Sequence, residues 1–246
     1  MNTLTSPGWQ FLKCQWLNLV RQPAYTLPTL LFPVIFYAFF GLLMIPGLSL
    51  WLLCTYSTFG IMGAALFSFG VSIAVERGQG WLLLLRASPA PIAGLVIGKA
   101  AAAMLFALVI VVSISVLAGW FGGVRLETSQ WAGLVMVQMI GTIPFCLLGL
   151  SLGLLLSPNA APAVINIIYL PLAFLSGLWV PATQFPPFLQ SLATWLPPYH
   201  LAELALNITG AKTSDWMVSV LILVIYTIIF AALTALGWKR LDGSRS

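Results

Sequence analysis

The segment ERGQGWLLLLRASP, from Glu76 to Pro89, separates two long apolar stretches of the chain. It carries Glu76, Arg77 and Arg86, three of the fifteen Asp, Glu, Lys and Arg side chains in the protein. Because charged side chains are costly in the hydrocarbon core of a bilayer, such a segment is expected in water, between two membrane spans. We refer to residues 76–89 as the charged loop.

The composition of the whole chain agrees with this interpretation. Hydrophobic residues make up 61% of the 246 residues, charged residues make up 6%, and the mean hydropathy is +1.04. In soluble proteins, roughly a quarter of all residues are charged. The sequence therefore predicts an all-α integral membrane protein. Since each span uses about 20 residues, a single transmembrane domain is expected to fill residues 1–246.

The spacing of the charged residues predicts six transmembrane helices. No Asp, Glu, Lys or Arg occurs in the 54 residues between Arg21 and Glu76, which is long enough for two spans with a turn at Pro46-Gly47. The run without charge from Thr128 to Ala202 is similarly long enough for two spans and a remainder. The predicted spans cover approximately residues 24–45, 50–75, 92–119, 131–156, 161–180 and 216–238.

Two further segments are expected to lie at the membrane surface. Residues 6–22 place apolar side chains at helical spacing beside basic ones, which predicts an amphipathic interfacial helix or else an ordinary helix that covers the bundle. The residues that define it are Trp9, Leu12, Lys13, Trp16 and Arg21.

Residues 181–200 are apolar but contain five prolines, each of which removes a backbone donor. They predict a broken re-entrant helix at the extracellular face, before the sixth span. His200 and Glu203 share one helix face there, and they either pair or face solvent. The residues of this segment that we single out are Pro181, Phe185, Phe188, Trp195, His200 and Glu203.

An even number of crossings places both termini on one side of the membrane. If that side is the cytoplasm, eight of the ten Lys and Arg residues are inside and only Arg125 and Lys212 are outside. This distribution follows the positive-inside rule. The sequence therefore predicts a multi-pass protein of the cell membrane, with both termini and the charged loop in the cytoplasm.

Several classes of function are disfavoured by the residues present. The basic residues are scattered, which does not suit a nucleic-acid partner. Cys14, Cys54 and Cys146 have neither a zinc-ligand spacing nor a disulfide pattern, so no metal site is expected. The sequence shows neither a nucleophile with a matching base nor a pair of carboxylates, so an enzyme is disfavoured. Four polar residues within or at the end of the spans either line a substrate path or bond neighbouring helices: Tyr56, Asn166, Tyr169 and Ser176.

The charged loop resembles that of the ABC-2 type permeases, the membrane subunits of ATP-driven exporters of drugs, antibiotics, lipids or polysaccharides. Their loop after the second span commonly reads Glu-Arg-Glu-x-Gly-Thr-Leu-Glu-x-Leu-x-x-Ser-Pro. This chain departs from that pattern at Gly78, Trp81 and Leu83. Two other segments also resemble this family. Arg21-Gln22-Pro23 with Leu31-Phe32-Pro33 resembles the opening of its drug-export branch, and Phe174-Leu175-Ser176-Gly177 with the prolines that follow resembles the series before its extracellular re-entrant helices. The matching loop residues are Glu76, Arg77, Gly80, Leu82, Leu85, Ser88 and Pro89.

The resemblance implies that the charged loop forms a coupling helix in a groove of a separate ABC-type ATPase, with two permeases and two ATPases in the complex. The chain has no phosphate-binding loop motif, so ATP and magnesium are expected on that partner. An amphipathic or hydrophobic substrate is expected, with drug resistance as one outcome. Export of a polysaccharide or an ion, and a membrane accessory that transports nothing, are the alternatives.

The resemblance also assigns roles within the loop. Arg77 and Arg86 would pair with acids of the ATPase, Trp81 and Leu84 would fill its groove, and Gly80 would permit a turn. Glu76, Ser88 and Pro89, which match the family motif, are expected to belong to the same ATPase-coupling site. The alternative from the residues alone is that Arg and Trp only anchor the loop at the lipid head groups, as they commonly do.

Overall fold

The computed structural model describes residues 23–80 and 92–243, and the regular elements in these residues are helices. The interfacial helix predicted for residues 6–22 and most of the charged loop therefore lie outside the described residues. The helices are α1 (Pro23–Phe36, continued by a π-helical segment Tyr37–Met44), α2 (Ser49–Gly78), α3 (Ile92–Trp120), α4 (Thr128–Leu155), α5 (Ala161–Leu175), α6 (Pro187–Ala193), α7 (Pro197–Ile208) and α8 (Trp216–Gly243).

Four of these helices are long and apolar enough to cross a membrane, as far as the described residues show. They are the regions Ser49–Gly78, Val96–Trp120, Thr128–Leu155 and Trp216–Lys239. The apolar helices Thr29–Met44 and Ala161–Leu175 are shorter. The all-helical membrane fold is thus confirmed, while the first and fifth predicted spans correspond to the two shorter helices.

The fifth span ends earlier than the sequence predicted. Hydrophobicity continues to Val180, but α5 ends at Leu175 because Gly177 has a φ of 71°. The amide of Leu178 donates to the carbonyl of Ala173 at 3.1 Å, which is the bond pattern of a glycine-terminated helix. The boundary at residue 180 is therefore wrong, since hydropathy does not detect a backbone that turns.

Helix α2 lies at the centre of the bundle. In its most apolar 18-residue window 78% of the residues are buried, compared with 17% in the corresponding window of α8. It packs against α1, α3, α4, α5 and α7. Between Phe67 and Val71 its backbone is π-helical, so that one long helix has an interruption five residues before Glu76. Helix α8 covers α4 and α7 from the outside.

Glycines allow α4 to approach α2 closely. A Cβ atom on Gly149 would lie 3.1 Å from the carbonyl oxygen of Ala65, and one on Gly153 would lie 2.8 Å from that of Gly70. Gly149 and Gly153 have the small-x-x-x-small spacing that is typical of close helix contacts in membranes, and such a contact is present here. A Cβ atom on Gly149 would make tight contacts, and one on Gly153 would require the two backbones to shift.

A buried amide adds a polar link between the same two helices. Gln138 of α4 is fully buried, and its Nε2 donates to the Cys54 carbonyl at 3.2 Å and to the Thr58 hydroxyl at 3.0 Å. Because no water reaches these atoms, the bonds satisfy polar groups that would otherwise be costly at this depth. Gln138 thus joins α4 to the middle of α2.

The proline-rich segment forms two helices rather than one. A 3₁₀ turn at Ala182–Gln184 precedes α6, and α7 follows after residues 194–196. Prolines occupy the first positions of both helices, where the missing amide costs little and the fixed φ suits a helix. Within residues 181–200, α6 is thus a short helix, and Phe185 and Trp195 lie just outside it.

Candidate functional site

A buried ion pair joins the first residue of the charged loop to α3. The Nζ atom of Lys99 lies 2.7 Å from Oε1 of Glu76, and the two side chains are 2% and 22% exposed, respectively. The hydroxyl of Ser72, one turn before Glu76, also accepts from the ammonium of Lys99 and donates to Glu76 Oε1 at 3.3 Å. Position 76 is therefore fixed to a second helix.

The next residue joins the loop to α4. The guanidinium of Arg77 donates to the carbonyls of Leu154 and Leu156, the second at 2.6 Å. These carbonyls belong to the end of α4, where backbone acceptors have no partner within the helix and the helix dipole favours a cation. Gly78 follows, and a Cβ atom there would collide with Pro158. The beginning of the charged loop thus lies directly against the segment that connects α4 to α5.

Gly80 ends the described part of the charged loop. Its φ is 77°, a conformation that side chains rarely adopt, and its amide donates to the Arg77 carbonyl at 3.1 Å. The chain therefore turns after α2 at a glycine. The remaining residues to which the resemblance assigned coupling roles lie outside the described residues: Trp81, Leu84, Arg86, Ser88 and Pro89. The same is true of Trp9, Leu12, Lys13, Trp16 and Arg21.

At the opposite end of the bundle, His200 links three elements. Its Nε2 lies 2.8 Å from the Thr194 carbonyl, and its Nδ1 lies 3.2 Å from the Ser219 hydroxyl. A carbonyl only accepts, so Nε2 carries the proton and Nδ1 of the neutral ring accepts from Ser219. His200 in α7 therefore holds the end of α6 and the beginning of α8 together.

Glu203 pairs with Lys212 and not with His200. The Lys212 ammonium lies 2.7 Å from Glu203 Oε1, and the Glu203 side chain is only 8% exposed. Neither the proposed bond to His200 nor a solvated face is found. The chain reverses at Gly210, whose φ is 73°, and this brings Lys212 back toward α7. Phe188 and Trp195, by contrast, are 75% and 72% exposed, and Phe185 is buried.

The environment of His200 predicts a pH-dependent stability. Burial lowers the pKa of His200, although the Thr194 hydrogen bond and the charge of Glu203 act in the opposite direction. The folded state thus favours the neutral ring, and its contribution to stability is present above the ordinary pKa of 6.5 and lost as the pH falls through the folded value. We expect the thermal midpoint in detergent to fall between pH 7.5 and 5.5.

The matched variant for this prediction is His200→Gln, whose amide can still donate to Thr194 but does not titrate. Lys212, the ion-pair partner of Glu203, remains charged in this range. Burial opposes its charge, but the hydrogen bond and charge of Glu203 raise the pKa of Lys212. The fall of the midpoint with acidification should be smaller in the variant than in the native protein. Parallel pH profiles of the two proteins would contradict the role of His200.

The four predicted path residues lie in different surroundings. The Tyr169 hydroxyl donates to the Phe59 carbonyl at 3.2 Å, and its ring stacks on that of Phe59. Tyr56 is buried. Asn166 is exposed and donates to the Pro162 carbonyl of its own helix. Ser176 is buried beside a cavity between α2 and α7. Tyr169 thus makes a helix-to-helix hydrogen bond, and no partner among residues 23–80 and 92–243 is shared by all four residues.

Lys99 and Lys212 complete these contacts, and no sequence motif marks either of them. For Lys212 the sequence predicts only a place on the outer side of the membrane. One feature of the sequence could have indicated these pairs. Each lysine is an isolated cation, and a carboxylate within 25 residues of it also borders an apolar run. Both lysines pair with those carboxylates in the fold.

The comparison with known families decides the identity of this fold. The model of the family described as "ABC-2 type transporter" matches residues 8–209, which include the beginning and end of the charged loop and helices α1 to α7. The chain belongs to the ABC-2 type transporter family. This ABC-2 permease is 27% identical over 227 residues to "Putative transport permease YvfS" of Bacillus subtilis (strain 168), covering 88% of this chain and 91% of that protein.

The family membership agrees with the chemistry of the site. The contacts at Glu76 and Arg77 are ion pairs and helix caps, which position backbone and do not activate a nucleophile. The ABC-2 family and the apolar helices together indicate a transport subunit in a membrane.

Proposed function

We propose that this ABC-2 permease is the membrane subunit of an ATP-driven exporter and that the charged loop receives force from a separate ATPase. The observation that carries the proposal is the pair of bonds at the beginning of the loop. Glu76 is bonded to Lys99 of α3, and Arg77 is bonded to the end of α4. A displacement of the loop would therefore reach three helices at once.

The proposed orientation places the charged loop and both termini in the cytoplasm. The distribution of eight basic residues on that side and two on the other supports it. The turn between α1 and α2, residues 121–127 and the segment of α6 and α7 would then be extracellular. In this arrangement α1 and α5 complete six crossings, and α6 and α7 form the broken re-entrant element.

The proposed assembly contains two permeases and two ATPases, with ATP and magnesium bound to the ATPase. The 246 residues contain no phosphate-binding loop motif, which is why ATP hydrolysis is assigned to another subunit. The apolar character of the helices favours an amphipathic or hydrophobic substrate. Purification in mild detergent should bring an ATP-binding subunit in equal amount, and its absence would favour a membrane accessory without transport activity.

The coupling role makes a specific prediction for Trp81. If its side chain fills a groove of the ATPase, Trp81→Ala should weaken binding of the ATPase by about tenfold or more, because buried aromatic anchors typically contribute above 1.4 kcal/mol to an interface. Substrate-stimulated ATP hydrolysis should fall with it. The measurements are the dissociation constant of the purified subunits and the ATPase rate of the reconstituted complex.

Arg86→Ala should have the same direction of effect, and Arg125→Ala is the control. Arg125 is an exposed arginine between α3 and α4, at the end of the bundle remote from the charged loop, so its loss removes one positive charge without touching the proposed contact. Membrane insertion of all three variants should be unchanged. Native coupling in both loop variants would exclude the charged loop as the contact, and would leave its Trp and Arg as head-group anchors.

A further inference from the structure

A cavity of about 600 Å³ opens at the end of the bundle remote from the charged loop. Helix α2 runs from this cavity to Gly78, and its 30 residues correspond to about 45 Å at 1.5 Å per residue. The cavity is enclosed by the beginning of α2, the end of α5, the turn before α6, and α7 with the residues that follow it. Because about 45 Å matches the thickness of a bilayer with its head groups, a spanning α2 would place this cavity near the lipid head groups.

One wall of the cavity carries both signs of charge. Glu203 and Lys212 form the ion pair described above, and the Lys212 ammonium also lies 5.9 Å from the centre of the Tyr199 ring. Glu203 Oε2 has no partner among the described residues. Lys212 gives one of its three donors to Glu203 and another to the Tyr199 side chain, which leaves one donor. The wall is neutral overall, but it offers a free carboxylate acceptor beside one free ammonium donor.

The deeper part of the cavity carries hydroxyl groups that have no partner. Thr55 and Ser176 are 1% and 2% exposed, and neither side-chain oxygen bonds to any other described residue. Lys212, by contrast, has a side chain that is 43% exposed, so it lies toward the opening. A buried hydroxyl without a partner is costly, and an acceptor brought into the cavity would remove that cost.

The remaining surface of the cavity is mainly apolar. Leu48, Leu50 and Trp51 line it at the beginning of α2, and Leu206 lines it from α7. Tryptophan is common at the membrane interface, where its ring packs on chains and its N–H reaches polar groups. Such a surface suits hydrocarbon chains that continue from a polar head group into the bilayer.

We propose that this cavity binds the head group of an ethanolamine phospholipid. Its primary ammonium would donate to Glu203 Oε2, its phosphate would accept from Lys212, and its ester oxygens would accept from Thr55 and Ser176. The acyl chains would lie along Leu48, Leu50, Trp51 and Leu206. A zwitterion is neutral overall, as is the Glu203–Lys212 pair, so that no uncompensated charge is buried on binding.

The same contacts give selectivity among head groups. A choline head group has a quaternary ammonium without N–H donors, so it cannot form the hydrogen bond to Glu203. A glycerol head group has no cation, and it would leave the phosphate near the Glu203 carboxylate without compensation. Because sites that hydrogen-bond a ligand reject analogues that lack the donor, the ethanolamine lipid should bind most tightly.

The test uses the purified permease alone in detergent, titrated by calorimetry with dihexanoyl phosphatidylethanolamine, the corresponding phosphatidylcholine and phosphatidylglycerol, and glycerophosphoethanolamine. We expect the ethanolamine lipid to bind about tenfold more tightly than the choline lipid, a difference of about 1.4 kcal/mol. Glu203→Gln should abolish this preference. Lys212→Gln should weaken both lipids, and Thr55→Val should weaken both without changing their ratio.

Asp215→Asn is the matched control for Glu203→Gln. Asp215 is an exposed acid at the same end of the bundle, and its Oδ1 accepts from the Met217 amide, a bond that asparagine retains. It does not line the cavity. The control should bind the ethanolamine lipid as the native protein does. Since Lys212 and Thr55 test the site independently, a Glu203 variant that fails to fold does not prevent the test.

Three results would overturn the proposal. They are equal affinities for the ethanolamine and choline lipids in the native protein, unchanged affinities in the Lys212 and Thr55 variants, and binding of glycerophosphoethanolamine as tight as that of the lipid. The last would identify a soluble zwitterion as the ligand. No ATPase is present in the assay, so its failure is separate from a failure of the proposed export function.

Discussion

Replacing Glu76 with glutamine is expected to lower the free energy of unfolding of the permease by about 3–5 kcal/mol, because it leaves a buried ammonium without its counter-charge. The Lys99 side chain is 2% exposed, so water cannot replace the lost carboxylate. Ser72 offers only a neutral hydroxyl in its place. The change would be measured by unfolding of the purified protein in mixed detergent micelles.

The double variant Glu76→Gln/Lys99→Met is the control for this prediction. Replacing both partners of a buried pair by neutral groups of similar size is often close to neutral, so the double variant should recover most of the lost stability. Lys99→Met alone should cost less than Glu76→Gln, because the Glu76 carboxylate is 22% exposed and can still be hydrated. A Glu76→Gln variant as stable as the native protein would show that Lys99 is not held by this pair.

The second large effect is expected at the contact between α2 and α4. A Cβ atom on Gly153 would lie 2.8 Å from the Gly70 carbonyl oxygen and 2.9 Å from Cβ of Ile73. These atoms belong to, or are attached directly to, the backbone of α2, so the helices must move apart. Gly153→Ala should therefore destabilise the protein by about 1–3 kcal/mol, measured as a lower thermal midpoint in detergent.

Gly119→Ala is the control for helix propensity. Its Cβ atom would meet only a Trp131 ring carbon at 3.7 Å, an ordinary contact, and Gly119 also lies in a helix. The change to alanine should be neutral or slightly stabilising there, since alanine favours a helix by up to about 1 kcal/mol over glycine. Equal effects of the two substitutions would mean that the close contact of Gly153 contributes nothing beyond helix propensity.

Much of the helical architecture follows from the sequence, because charge is expensive in a bilayer and therefore marks where spans end. The charge-free runs predicted the positions of α2, α3, α4 and α8 to within a few residues. The spacing of Gly149 and Gly153 predicted a close helix contact, since only a missing side chain allows two backbones to approach. These features depend on local composition, which the sequence displays directly.

The partners of the charged residues did not follow from the sequence. Lys99 bonds to Glu76 because α2 and α3 lie side by side with these positions facing each other, a lateral arrangement that no residue spacing determines. Helical spacing offers Glu203 either a pair with His200 or a solvated face, but the chain reverses at Gly210 and brings Lys212 to it instead. The early end of α5 also depends on the backbone, because the chain turns at Gly177, where φ is positive.

The π-helical segment Phe67–Val71 has a consequence for the direction in which the beginning of the charged loop points. A π turn takes about one residue more than an α turn, and each residue of a helix rotates the next by about 100° around the axis. Without that extra residue, Glu76 and Arg77 would be rotated by about that angle, and would face away from Lys99 and from the end of α4. The π-helical segment thus determines the direction around the axis of α2 in which the Glu76 carboxylate and the Arg77 guanidinium point. That direction decides which neighbouring helices the charged loop is attached to.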